Sequence, residues 1–141
     1  MAQSLTSAFA TLNPVGQPEE PTVGERLLGH LVGLNLNATA QTSIFVAPAA
    51  GFTRLIVTKV IIKNYSTAAT TASVSFGATA TPTDWSATAA NANAATTKFV
   101  VLSPTATLAP QYPVSTNFVA NVTINQGGAA TADVMVFGFY D

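Results

Sequence analysis

Apolar and polar residues alternate along most of the chain after residue 40. Residues 72–76 alternate apolar side chains with serine, and residues 117–125 alternate apolar side chains mostly with asparagine and threonine. Successive side chains of a β-strand point to opposite faces of its sheet, so this period of two predicts strands that bury one face. The alternation constrains the fold more than any other feature, and it indicates an all-β domain.

Residues typical of turns separate the alternating runs. Several short strands divided in this way are typical of two packed antiparallel sheets. We therefore predict an antiparallel β-sandwich, jelly-roll-like in type. The expected strands lie near residues 43–47, 54–64, 71–77, 98–102, 117–125 and 131–140, and the expected turns lie at 64–71, 79–84, 103–107, 110–113 and 127–128. The alanine-rich residues 86–98 lack an apolar stripe and are expected to form a loop with at most one helical turn.

Two of these strands allow individual side chains to be assigned to a face. In the strand near 54–64, Ile56, Val60 and Ile62 are expected on one face, and Leu55 is expected with the lysines on the other. The strand at 131–140 has largely apolar residues on both faces. A strand buried on one side alone does not need two apolar faces, so we expect it to be central or covered by another subunit.

Residues 1–36 differ in composition from the remainder. Prolines at 14, 18 and 21 remove backbone donors and favour extended geometry, which predicts an extended N-terminal arm before a sandwich domain at 37–141. The leucines near residue 28 are compatible with one helical face, but glycines at 29 and 33 weaken a helix, and an extended segment is equally allowed. We expect the arm to lie on a partner. Candidate contacts with a partner or another subunit are Leu12, Pro14, Glu19, Glu20, Pro21, Leu27, Leu28, Phe137 and Phe139.

Charged side chains are scarce throughout the chain. They make up 8% of the residues, where about 25% is usual, and the net charge is −1. Five basic residues cannot form the large basic patch that nucleic-acid binding or electrostatic docking to a membrane requires. No run approaches 18 apolar residues, and the first residues do not resemble a secretory signal, so neither a membrane span nor a leader is expected. With so little charge repulsion, we expect much of the surface to be buried in an oligomer.

The residues needed for catalysis or metal binding are few and scattered. There is no cysteine, and His30 is the only histidine, which excludes thiolate sites and histidine pairs. Glu19 and Glu20 lie among prolines, and the aspartates have no spacing typical of a calcium loop or an acid–base pair. We therefore expect no enzyme activity, no cofactor, no metal and no small-molecule substrate.

Two aromatic residues leave an alternative open. Trp85 follows Pro82 and Asp84 and is expected to be a buried anchor at the edge of the sandwich, although a platform for stacking sugars is a rival interpretation. Tyr112, between a glutamine and a proline, is a second aromatic that could be exposed. If both are exposed, the protein is a carbohydrate-binding sandwich.

A set of short segments suggests a family. The strand that ends at Lys63 and Asn64, the Ser-Phe-Gly at 75–77 followed by Thr-Asp-Trp at 83–85, and the final Val-Phe-Gly-Phe-Tyr at 136–140 resemble capsid decoration (cement) proteins of tailed bacteriophages, of β-sandwich or jelly-roll type. The resemblance covers roughly residues 50–141.

The resemblance implies a mechanical role. Such proteins sit on the capsid surface of the virion, commonly as homotrimers, and bind the major capsid protein. The alternatives are a phage tail, baseplate or head-fibre protein, or the carbohydrate-binding sandwich described above.

Overall fold

The computed structural model describes residues 25–48, 51, 53–90, 96–105 and 111–140. This part of the chain is all-β and contains no helix. Two antiparallel sheets pack together, which confirms the predicted sandwich. The strands are β1 (Arg26–Asn35), β2 (Gln41–Val46), β3 (Arg54–Lys63), β4 (Ser73–Ala78), β5 (Thr81–Ala90), β6 (Val100–Leu102), β7 (Gln111–Pro113), β8 (Asn117–Ile124) and β9 (Thr131–Tyr140).

The strand order is that of a jelly roll. One sheet has the order β1-β9-β3-β6, with β7 also paired to β3, and the other has the order β2-β8-β4-β5. β6 and β7 pair with different parts of β3, so they act as one interrupted strand. When β6 and β7 are counted as one strand, β1 pairs with β9, β2 with β8, β3 with β6 and β7, and β4 with β5. This nested antiparallel pairing is a long hairpin rolled into two sheets, the architecture of jelly rolls.

The core lies between the inward faces of the two sheets. β9 contributes Val134 and Val136, both fully buried, and β3 contributes Val60 and Ile62. These side chains alternate with outward ones because successive residues of a strand point in opposite directions. Burying each such side chain stabilises the fold by about 1.5–3 kcal/mol.

An aromatic cluster fills the centre of the core. The ring centroid of Phe118 lies 5.6 Å from those of Phe45 and Tyr112 and 6.4 Å from that of Trp85, and Trp85 also contacts the edge of Phe76. Pairs of this kind contribute about 0.5–1.5 kcal/mol each beyond the area they bury. Because these rings come from both sheets, the cluster fixes how one sheet sits on the other.

The first described strand lies in the segment that was predicted to be the arm. β1 pairs with β9 along its length, with register shifts between Leu27 and Gly29 and between Leu31 and Leu34. Because these irregularities interrupt the alternation of inward and outward side chains, the sequence pattern did not predict a strand here. The structure therefore places Arg26–Asn35 in the sheet and corrects the predicted boundary after residue 36, while residues 1–24 lie outside the described residues.

β9 lies between β1 and β3, which agrees with the first of the two alternatives expected for it, a central position. β5 was not predicted: it begins directly after a turn at residues 79–80 and occupies positions expected to be turn and loop. β5 lies at the edge of its sheet, where a residue such as Pro82 is tolerated because its missing donor has no neighbouring strand to bond. The short β7 likewise occupies part of a predicted turn.

A β-bulge changes the face assignments in β3. The register with β9 shifts between Val57 and Lys59, leaving Thr58 as the extra residue. As a result, Leu55 is buried and Ile56 points outward, the reverse of the predicted arrangement. Beyond the bulge, Val60 and Ile62 point inward as expected.

Candidate functional site

The outer side of the five-stranded sheet carries a band of apolar residues. The register places His30, Met135, Ile61 and Val101 in one row across β1, β9, β3 and β6. Cross-strand neighbours on one face of a sheet contact each other, so such rows form a continuous surface. We call this surface the outer apolar face; it consists of Leu27, Ile56, Ile61, Val101, Met135, Phe137 and Phe139.

Two further rows extend the band. Leu27 of β1 lies opposite Phe137 of β9, which in turn lies opposite Lys59 of β3. Phe139 lies opposite Ile56. Leu27 is 47% exposed and the other residues of these rows are partly buried by one another. The face thus crosses four strands and runs along β9 for at least five residues.

The edge of this face at β6 is the most exposed. Val101 is 50% exposed, and Phe99, two residues before it, is 65% exposed. Exposed apolar side chains are common singly, but contiguous apolar patches on a protein surface mark contact with another molecule. We therefore take the outer apolar face as the candidate functional site.

The charge of Lys59 is neutralised within this face. Its Nζ lies 3.1 Å from Glu25 Oε2 and 4.9 Å from the centroid of the Phe137 ring. Because both side chains are more than one third exposed, the ion pair itself contributes only about 0–1 kcal/mol. Its structural effect is to hold the Glu25 side chain against the outer apolar face.

Asp133 closes the end of the face where β1 ends. One carboxylate oxygen accepts a 2.9 Å hydrogen bond from the Gly33 backbone N–H, and the other accepts a 2.7 Å bond from Asn64 Nδ2. These two donors favour the ionised form and lower the pKa of Asp133 below its ordinary value, the Asn64 bond having the larger effect. Gly33 has a positive φ of 73°, which glycine adopts without strain, at the irregular turn of β1. Asp133 thus joins the irregular part of β1 to the end of β3.

The opposite end of the face is also closed by polar contacts. Arg54 Nη1 donates a 2.8 Å hydrogen bond to Gln111 Oε1, which ties β3 to β7. On the core side of the same strands, the guanidinium carbon of Arg26 lies 5.9 Å from the centre of the Tyr140 ring. On the outer side, Lys59, Asp133 and Arg54 each have a partner within this chain.

The outer side of the four-stranded sheet has a different chemistry. Asn121 Nδ2 donates to Ser75 Oγ at 3.2 Å, and Ser43 Oγ donates to Asn117 Oδ1 at 2.6 Å. Thr123 and Gln41 are exposed on the same strands. Polar side chains on this side are thus interspersed with exposed apolar ones such as Val46, which is 57% exposed, and the side lacks the continuous apolar band of the other outer face.

The predicted contact residues separate into three groups. Leu27, Phe137 and Phe139 lie together on the outer apolar face. Leu28, the neighbour of the outward-pointing Leu27, instead packs against the core. The predicted contacts outside the described residues are Leu12, Pro14, Glu19, Glu20 and Pro21.

The remaining members of the face were not predicted as contacts. Met135 alternates with buried valines in the same strand as Phe137, so the C-terminal alternation carried a signal for it. Ile61 and Val101 come from strands far apart in the sequence, and only the sheet order brings them beside Met135.

Trp85 is fully buried, which confirms its prediction as an anchor at the sandwich edge. Its indole Nε1 donates a 2.8 Å hydrogen bond to the carbonyl oxygen of Val57. Tyr112 is 4% exposed, contrary to the possibility that it is an exposed aromatic. A ring that is buried on both sides cannot stack on a sugar, so the two residues that suggested a carbohydrate site do not provide one.

The hydroxyl of Tyr112 is held by Asp84. It donates a 2.7 Å hydrogen bond to Asp84 Oδ1, and Asp84 Oδ2 accepts a 2.8 Å bond from Thr81 Oγ1. Burial, and then the bond to this carboxylate, raise the pKa of Tyr112 well above its ordinary value. The contact links β7 of one sheet to the β4–β5 hairpin of the other.

The described residues contain neither a metal-ligand cluster nor a membrane-spanning helix. They contain no group of three or more histidine, cysteine, aspartate or glutamate side chains that could hold a metal ion. The same residues include no helix with the length and apolar character required to cross a membrane.

The chain was compared with models of protein families, with curated proteins and with solved structures, and none of the three comparisons gives a match. The strand order and the candidate site define the class of protein: it is a jelly-roll β-sandwich with an apolar outer face on its five-stranded sheet.

Proposed function

We propose that this protein is a structural component of a phage particle, which binds the outside of the capsid and stabilises the contacts between major capsid subunits. The observation that carries the proposal is the outer apolar face on a jelly-roll sandwich. A contiguous, partly exposed apolar band on the outside of a sheet marks contact with another molecule, and we take that molecule to be a protein.

The architecture supports the proposal. Jelly rolls recur in viral capsid proteins, and also in lectins and cupins, so the fold alone does not select a function. A lectin of this type needs exposed aromatic or polar sugar contacts, and the residues that suggested them, Trp85 and Tyr112, are buried. A cupin-like metal site needs a cluster of metal ligands, which the described strands and loops do not contain. Among these functions, a packing role fits the described surface best.

The surface composition gives a second reason. Charged residues make up 8% of the chain, and small serine, threonine and alanine side chains replace them. Small side chains lose little rotamer entropy when an interface orders them, whereas a lysine or glutamate loses up to about 2 kcal/mol. A surface of this composition is suited to being covered by neighbouring subunits.

The energy of attachment is adequate for many copies acting together. Protein interfaces of about 1,600 Å² range from micromolar to picomolar affinity, depending on how well their central residues are packed. Linked copies engage neighbouring sites at high effective concentration, so modest contacts add to a strong attachment. We propose a homotrimer as the attaching unit, with capsid subunits as its partners.

The test is attachment to capsids. Light scattering of the purified full-length protein gives its mass, and mixing it with empty heads of the phage that carries its gene, followed by sedimentation, measures binding. The expected result is a homotrimer that sediments with the heads and raises the temperature at which they break open. A protein that stays in the supernatant at every concentration, with heads of unchanged stability, contradicts the proposal.

Electron microscopy of labelled particles separates the neighbouring roles. Label distributed over the head supports the capsid role. Label confined to the tail, the baseplate or a single fibre assigns the protein to that structure and contradicts binding to the capsid surface.

A further inference from the structure

We infer that the outer apolar face is the side of the protein that lies on the capsid, and that it binds an uncharged, apolar surface of the major capsid subunit. The inference rests on the proposed function and adds to it the surface, the chemistry of the partner and the side of the sandwich that faces the shell.

Charged side chains around the face already have partners within this chain, so the partner protein does not need to supply opposite charges. Lys59 is paired with Glu25 and covers the ring of Phe137. Arg54 is hydrogen bonded to Gln111, and Asp133 is hydrogen bonded to Asn64. A partner that placed a single charge against this band would have to desolvate that charge against apolar side chains, with the charges of Lys59, Arg54 and Asp133 already engaged. An uncharged apolar surface is complementary to the band.

The size of the face predicts how strong one contact is. A band about 20 Å wide and about 20 Å long covers about 400 Å², at four strands and about six residues per strand. A standard interface buries about 800 Å² on each partner. The face alone is therefore about half of a stable interface. Attachment needs a second contribution, from residues 1–24 or from several linked copies.

The decisive variant places a charge in the middle of the face. Met135 lies between His30 and Ile61 in the central row and is partly exposed. In Met135→Lys, the new side chain can extend its ammonium group to water, so the fold is retained, but the ammonium group would have to be desolvated in the interface. We expect at least a tenfold weaker attachment to empty heads, with an unchanged circular dichroism spectrum. Gln41→Lys, an exposed position on the four-stranded sheet, introduces the same charge and is expected to bind as the wild type does.

Salt concentration tests the chemistry of the partner. Because the contact uses no unpaired charge, attachment of the wild type is expected to change less than twofold between about 0.05 and about 0.5 M NaCl, a range in which surface charges become strongly screened. Loss of attachment at the higher concentration shows that charged contacts hold the complex and overturns the inference.

The other outcomes are distinguishable. If the wild type does not attach to heads at all, the proposed function fails. If the wild type attaches and Met135→Lys attaches equally well, the function stands and the inference about this face is wrong. If Met135→Lys abolishes the oligomer in light scattering but leaves attachment unchanged, the face joins copies of this chain, which also overturns the inference. Should Met135→Lys not fold, Met135→Gln, which keeps the shape of the side chain, replaces it with the same expected direction.

Discussion

The indole nitrogen of Trp85 donates a 2.8 Å hydrogen bond to the carbonyl oxygen of Val57 and so joins the two sheets of the sandwich. Val57 lies in a gap on β3, between Ile56, where the pairing with β7 ends, and Val60, where the pairing with β6 begins. Neither β6 nor β7 pairs with this residue. Trp85, which lies on the edge strand β5 of the other sheet, therefore supplies the hydrogen-bond donor that neither β6 nor β7 provides.

Replacing Trp85 with phenylalanine tests this bond. Trp85→Phe retains an aromatic ring but leaves the buried Val57 carbonyl without this donor, which costs about 1–3 kcal/mol. The lost ring volume adds to the loss of stability. Urea unfolding followed by circular dichroism measures the free energy of unfolding. Phe99→Leu, at a position that is 65% exposed, is the control and is expected to change this free energy by less than about 0.5 kcal/mol.

The contact between Tyr112 and Asp84 provides a second prediction. Tyr112→Phe removes a hydrogen bond to a carboxylate, and such bonds contribute about 1.5–3 kcal/mol. A double-mutant cycle with Asp84→Ala is expected to give a coupling energy of about 1 kcal/mol or more between the two residues. Additive effects of the two substitutions would show that the hydrogen bond does not join the sheets energetically.

Gly138 predicts a steric effect in the central strand. A Cβ at this position would collide with the Ile56 carbonyl oxygen and would lie 2.8 Å from Leu28 Cδ1. Backbone cannot move aside easily, so Gly138→Ala is expected to destabilise the protein by about 1–3 kcal/mol. Gly128→Ala is the matched control, since a Cβ there meets no atom within 4 Å. Thermal unfolding of both variants gives the comparison, and equal midpoints would contradict the prediction.

Asp133 predicts how stability depends on pH. Its pKa is lowered in the folded protein, so the unfolded chain binds a proton first as the pH falls. The stability that Asp133 contributes is complete above its unfolded pKa of about 3.9 and is lost as the pH falls through the lower folded value. The difference in free energy of unfolding between the wild type and Asp133→Asn is therefore expected to shrink between about pH 5 and about pH 2.

A second variant isolates the main cause of this shift. Asn64 has a positive φ of 55°, which glycine also adopts, so Asn64→Gly removes the hydrogen bond to Asp133 without straining the backbone. The loss of stability caused by Asn64→Gly is expected to become smaller as the pH falls from about 5 to about 2. A destabilisation that stays constant with pH would show that the ionised form of Asp133 is not the one that Asn64 stabilises.

The strands that the sequence predicts well are the long apolar or alternating runs bounded by turn residues. For β3, β8 and β9 the predicted bounds lie within one residue of the observed ones. β1 and β5 lie at sheet edges and contain irregular pairing, glycine or proline, so their local patterns resemble turns. Pairing with a neighbouring strand stabilises them, and this neighbour is distant in the sequence.

The candidate site is predictable only in part for the same reason. Phe137 and Phe139 alternate with buried residues, which placed them on one face before the partner strands were known. Ile56 was assigned to the same face as Val60 and Ile62, which is wrong because the bulge at Thr58 reverses the faces of β3. A threonine in a strand gives no signal for a bulge. Val101 joins the face only through the pairing of β6 with β3.

The nested pairing of the strands also determines when this protein can finish folding during its synthesis. β9 lies between β1 and β3, so both of these strands stay unpaired on that side until residues 131–140 have left the ribosome. Ribosomes add about 5–20 residues per second, which leaves β1 without its partner for several seconds after it emerges. During that time the exposed edges of β1 and β3 can pair with the same strands of other nascent chains. β1 is thus completed by β9, and any polypeptide released before β9 lacks the centre of its five-stranded sheet.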